Sequence, residues 1–138
     1  MLAGHFYFVK DEFFKDFPDQ NLMRNKETVN GVKHGRPAFY IYKDGVSGLD
    51  WVIPISSQVT KFRNIYSKKT QNGKRCDTIV FGNVLGIEKV FLIQNMHPVA
   101  DRYIGDEYVD SNNVPVRVEH RLGAELNSKA KKSSRTLS

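Results

Sequence analysis

Residues 36–61, RPAFYIYKDGVSGLDWVIPISSQVTK, decide how this chain is read. Residues 38–43 and 51–55 are rich in β-branched and aromatic side chains, and a glycine-containing turn opened by Lys43, Asp44 and Gly45 separates them. That pattern predicts a β-hairpin. The second strand runs into Pro54, Ser56, Ser57 and then Lys61, so small hydroxyls and an ammonium group stand where apolar packing would otherwise continue. Strand ends on a rigid sheet are favoured places for chemistry. By the two-residue period of a strand, Tyr40 and Tyr42 share one face and Phe39 and Ile41 the other, so the tyrosines either present phenols to a ligand or are half-exposed sheet residues.

Outward from the hairpin, 138 residues suit one domain with one core, and 40% apolar with 26% charged residues exclude disorder of the whole chain. A net charge of +6 favours polyanionic partners. The single cysteine, Cys76, cannot form an internal disulfide, and neither CxxC nor HExxH spacing offers a metal site. No stretch reaches the roughly 18 apolar residues of a spanning helix, and residues 1–9 lack the basic start of a signal peptide. The expectation is a cytoplasmic protein without membrane, metal or cofactor.

In chain order, HFYFV at residues 5–9 predicts a strand, and residues 10–17 a short helix ended by Pro18. Phe13, Phe14 and Phe17 fall on one side of that helix, as core residues or as a base-stacking platform. Residues 19–35 carry Arg24, Lys26, Lys33 and His34 without clear periodicity and read as a long loop, either substrate-facing or a solvated connector. From residue 51 to residue 76 there is no Asp or Glu, while Lys61, Arg63, Lys68, Lys69, Lys74 and Arg75 supply six positive charges. A one-sign run of that length suits a phosphate track, although a solvated basic helix would look the same. A helix is expected to start near Val59, capped by Ser56, Ser57 or Thr60.

Residues 77–81 and 89–93 predict two central strands, and residues 103–109 and 114–118 two weaker ones. Asp101, Asp106, Glu107 and Asp110 make the only acidic patch, expected to face solvent away from a polyanion. Residues 119–127 predict a short helix through Leu122 and Leu126, weakened by Gly123. The Lys- and Ser-rich residues 128–138 are expected to be a disordered basic tail, leaving residues 1–127 as the folded domain.

The order basic residue, apolar strand, glycine turn, apolar strand, Pro-x-Ser-Ser resembles the toxins of type III toxin–antitoxin systems, the ToxN/AbiQ/CptN/TenpN group. FYFVKDEFFKDF near the start and LGIEKVFLIQNMHPV at residues 85–99 extend the resemblance over residues 6–99. It implies a barrel similar to the Kid/MazF type, a small structured antitoxin RNA built of repeats that the toxin processes and retains in a toxin–RNA hetero-oligomer, and growth arrest or phage defence. Ser56 and Ser57 look like the family's Thr/Ser–Ser pair, and Arg36 like its basic residue before the first strand. The family's next lysine aligns with Val59, Lys61 being the nearest lysine here. Its first-helix tyrosine falls near Phe13, which has no hydroxyl, and the family's longer helical C-terminus has no counterpart in the residues.

No paired carboxylates, phosphate-cradling loop or GxSxG elbow occur. His, Ser, Lys and Arg around the hairpin suit metal-independent RNA cleavage through the ribose 2′-OH, which would leave DNA inert. Ser57 is expected to bind the scissile phosphate or orient the 2′-OH, with Ser56 beside it. Lys61 and Arg36 would stabilise developing charge, and His34 would be acid or base because histidine titrates near neutrality. His97 is a weaker acid/base candidate, while His5 and His120 look incidental. Lys33, Arg63, Lys68, Lys69, Lys74, Arg75, Tyr40 and Tyr42 would line the RNA. The expected fold is α+β: a compact, mostly antiparallel curved sheet or small SH3-like barrel with a few short helices. Two other readings stand beside the nuclease, a non-catalytic RNA-binding barrel in which the serines only cap a helix, and a structural or partner-binding protein.

Overall fold

A computed structural model describes residues 1–18, 26–29 and 32–137, with side chains for residues 1–18 and 36–133. The hairpin of residues 36–61 is its hub. Two strands, β4 (Pro37–Lys43) and β5 (Asp50–Ser56), pair antiparallel, with Ala38 opposite Pro54 and Phe39 opposite Ile53. Among the described residues, seven strands form one antiparallel sheet. Along it β6 (Ile79–Val84), β7 (Ile87–Leu92), β5, β4, β1 (Phe6–Val9) and β9 (Ile104–Glu107) are successive neighbours, and β8 (His97–Val99) also pairs with β5. Among the described residues the ladder is open at β6 and β9, so the structure is an open curved sheet.

The free edge of β5 is shared. Asp50, Trp51 and Val52 pair with β8, whereas Ile55 and Ser56 pair with β7, and the 3₁₀ turn Ile93–Asn95 carries the chain from one partner to the other. Pro54 sits in the gap between them. A proline has no N–H for a ladder, and here neither partner strand pairs with it on that edge.

The sheet buries both faces. On one, Phe6, Phe39, Ile53, Ile55, Val80 and Phe91 pack with Leu126 and Ala130 of α3 (His120–Leu137). Phe6, Phe39 and Phe91 meet edge-on, with centroids 5.2 and 5.7 Å apart, an arrangement that stabilises by about 0.5–1.5 kcal/mol per pair beyond burial. On the other face, Tyr7, Val9, Ala38, Tyr40 and Val52 lie under Phe13 of α1 (Asp11–Asp16). Alongside them Phe62 of α2 (Val59–Lys69) covers Ile79, Val90 and Leu92.

Several expectations change. Residues 26–35 are not loop: β2 (Lys26–Val29) and β3 (Val32–Gly35) form a separate two-stranded sheet, Lys26 opposite Gly35. The strand at residues 77–81 lies at the sheet edge rather than centrally, because its two faces are covered by helices instead of its two edges by strands. Residues 114–118 contribute only isolated bridges, Val109 to Pro115 and His5 to Arg117. The C-terminal segment is not a disordered tail: α3 continues through residue 137, since Ala130 continues the i, i+4 series of Leu122 and Leu126 onto the core.

Candidate functional site

The two serines at the end of β5 do different things. Ser56 is 2% exposed and its Oγ accepts the backbone N–H of Gln58 at 3.1 Å. Gln58, not a serine or threonine, precedes α2, and no side chain caps that helix. The expected hydroxyl cap is replaced by this turn and by Val59 N–H donating to the Ser57 carbonyl at 2.9 Å. Ser57 is exposed, and Lys89 of β7 donates to its Oγ at 2.8 Å. That contact follows from the ladder: Ile55 faces Phe91 and Ser56 faces Val90, so the next step brings Ser57 to Lys89. In this contact the ammonium Nζ of Lys89 donates and the Ser57 oxygen accepts.

Lys61 does not take that position. Its Nζ lies 5.4 Å from the centroid of the Phe62 ring, on the exposed side of α2. Arg36, half-buried, stands immediately before β4, and continuing the Ala38–Pro54 register by two residues aligns it with Ser56. The backbone of His34 lies in β3, two residues earlier and opposite Glu27. The side chains of Lys33 and His34 lie outside the described residues. His97 belongs elsewhere. It pairs with Val52, four residues before Ser56 and so roughly 13 Å along β5. Its Nδ1 is 2.8 Å from the Asn95 carbonyl, which can only accept, so Nδ1 carries a proton.

The basic residues read from residues 51–76 are joined at Arg75 by lysines of α3. Lys68, Lys69 and Lys74 are exposed along α2 and the turn after it, with Lys69 donating to Gln94 at 3.2 Å. Arg63 pairs with Glu88 at 2.5 Å and stacks on Phe81 at 4.3 Å. Arg75 lies 3.4 Å from Asp77, which also holds Lys132 of α3 at 2.8 Å. These cations keep the Asp77 carboxyl below its ordinary range, the hydrogen bond from Lys132 first. Arg75, Lys129, Lys131 and Lys132 thus border one cleft of about 470 Å³. The three α3 lysines and Lys89 were missed, because their roles depend on a helix read as tail and on a register 32 residues apart.

The tyrosines are corrected. A bulge at Ile41, where Tyr40 faces Val52 but Tyr42 already faces Trp51, puts the two phenols on different sides. Tyr40 is 4% exposed and donates to Asp50 Oδ1 at 2.9 Å, so it is not an RNA-lining residue. Tyr42 is half-buried and stacks on Trp51 at 6.5 Å. Asp50 has no exposed surface, and Lys43 Nζ reaches it at 3.1 Å while pairing with Asp101 at 2.7 Å. Of the acidic patch, Asp101 therefore holds Lys43, and Glu107 lies 3.4 Å from His5. Burial raises the Asp50 carboxyl, and burial followed by the hydrogen bond to Asp50 pushes Tyr40 up to about 12.

Among the described residues no three His, Cys, Asp or Glu side chains are placed to hold a metal ion, and no helix is long and apolar enough to cross a membrane. No protein-family model matches the chain, and no curated protein matches it.

Proposed function

We propose that this chain is a cytoplasmic endoribonuclease toxin of the type III toxin–antitoxin kind, which cuts RNA without a metal and is held by a small structured RNA that it processes itself. The observation that carries the reading is Lys89 on Ser57 Oγ at 2.8 Å, at the exposed end of β5 beside the basic helix α2. In the proposed reaction a base takes the ribose 2′-OH proton, the 2′-oxygen attacks phosphorus, and the 5′-oxygen leaves with a proton. The products carry a 2′,3′-cyclic phosphate and a 5′-OH. Ser57 donates its hydroxyl proton to a non-bridging phosphate oxygen, while Lys89 and Arg36 stabilise the charge that develops there. Lys61 extends the cationic surface toward the flanking phosphates. His34, two residues before Arg36, is the acid or base.

Chemistry through the 2′-OH is tested by placing a single 2′-deoxynucleotide at a mapped cut site in an otherwise ribose oligonucleotide. Cleavage is expected to vanish at that bond and persist elsewhere, and continued cutting at the deoxy position rejects the mechanism. A second reading, an RNA-binding protein that does not cut, is favoured by the backbone hydrogen bond of Ser56, which gives one of the serines a purely structural use. RNA bound tightly and recovered intact selects it.

A further inference from the structure

Away from Ser57, α1 and the 3₁₀ turn Asp101–Tyr103 enclose a cavity of about 760 Å³ against β8. Its walls are aromatic. Phe13 is buried, and its ring lies 5.3 Å from Phe17, 5.5 Å from Tyr103 and 5.5 Å from His97, the last at a shallow 30°. Phe17 differs from its neighbours: 51% exposed, it lines the same cavity and meets Tyr103 edge-on at 5.9 Å. Of the three phenylalanines here, Phe13 is core, Phe14 is half-buried, and Phe17, just after the helix, is exposed.

Polar groups at the rim are of opposite sign and fixed. Tyr103 donates its hydroxyl to Asp16 Oδ2 at 2.6 Å, and Arg102 Nη2 donates to the Tyr103 oxygen at 3.0 Å with the guanidinium 4.7 Å over the ring. Tyr103 uses one of the roughly four lone-pair sites of the carboxylate, and Arg102 gives it one of five N–H donors. An acceptor and a donor therefore both meet at the Tyr103 hydroxyl on the wall of the cavity.

We propose that this cavity is a nucleobase-binding subsite that prefers guanine. The exposed Phe17 ring can stack on one π-face of a base, whereas an aliphatic ligand would gain nothing from it. Guanine alone among the four bases presents an acceptor, O6, next to two adjacent donors, N1–H and N2–H. Arg102 donates to O6, and the two oxygens of Asp16 accept from N1–H and N2–H. Adenine and cytosine would set a ring-nitrogen acceptor against the carboxylate, and uracil offers it a single N–H. Its use on RNA rests on the proposed function; Val52, the partner of His97, lies roughly 13 Å along β5 from Ser56.

The test is calorimetric titration of the full chain with the 5′-monophosphates of guanosine, adenosine, cytidine and uridine, repeated with Phe17→Ala and Asp16→Asn, both verified as folded by circular dichroism. Guanosine monophosphate is expected to bind at least tenfold more tightly than the others. Phe17→Ala should weaken it about tenfold, and Asp16→Asn should reduce the guanine preference to threefold or less. Equal binding of the four nucleotides, no binding, or parent-like behaviour of Phe17→Ala and Asp16→Asn overturns the subsite. If the chain cuts RNA yet shows no guanine preference, the subsite fails and the nuclease reading stands; selective guanine binding without cleavage gives the reverse.

Discussion

Asp50 illustrates what a single buried carboxylate demands. It has no exposed surface, and the Tyr40 hydroxyl and the Lys43 ammonium converge on its Oδ1. Removing one donor leaves a buried acceptor short of a partner, so Tyr40→Phe is expected to lower stability by about 1–3 kcal/mol, read from urea denaturation. Tyr40 also has a pH signature. Because its folded pKa is raised to about 12 from the ordinary 10.0, its contribution is intact below about pH 10 and is lost as pH rises toward 12. Ultraviolet titration should show a late phenol ionisation near pH 12 that is absent in Tyr40→Phe. The serines divide at the same scale. Ser56→Ala loses the acceptor of Gln58 N–H and should cost about 0.5–1.5 kcal/mol, while Ser57→Ala should leave stability within about 0.5 kcal/mol and remove RNA cleavage.

Among elements, α3 is where local reading and tertiary packing part company. Lys129, Lys131, Lys132 and Ser133 look solvated one by one, yet Leu126 and Ala130 are fully buried on the sheet, and Leu122 packs so closely that a Cβ on Gly82 would lie 2.3 Å from its Cδ2. Leu126→Ala is expected to destabilise the whole fold by about 2–5 kcal/mol in the same denaturation assay. The hairpin β4–β5 was legible because alternation, aromatic content and a glycine turn agree with one another. The β2–β3 pair was not, because four-residue polar strands carry little hydrophobic period; the signal lay in Asn30-Gly31, a pair that favours two-residue hairpin turns. The bulge at Ile41 was equally hidden, since an extra residue reverses alternation without any change of composition. Ser56, Ser57 and Arg36 could be found from their place at strand ends. Lys89 could not, because only the β5–β7 register sets it against Ser57.

Across the whole molecule, Arg75 and the α3 lysines, distant in sequence, border one cleft, while Lys68, Lys69 and Lys74 are exposed on α2 and the turn after it. If that surface follows a phosphate backbone, Lys68→Ala with Lys74→Ala should reduce the slope of log K against log salt by about 1.4 for single-stranded RNA, with cleavage positions unchanged. Nuclease chemistry is a separate property from binding, and the ends of the RNA report it directly. The decisive measurement is end mapping of RNA incubated with the parent chain and with Ser57→Ala, in EDTA. Fragments ending in 2′,3′-cyclic phosphate and 5′-OH from the parent, and intact RNA from the folded variant, are the predicted result. Identical fragments from both proteins, or no fragments from either, would contradict a ribonuclease centred on Ser57.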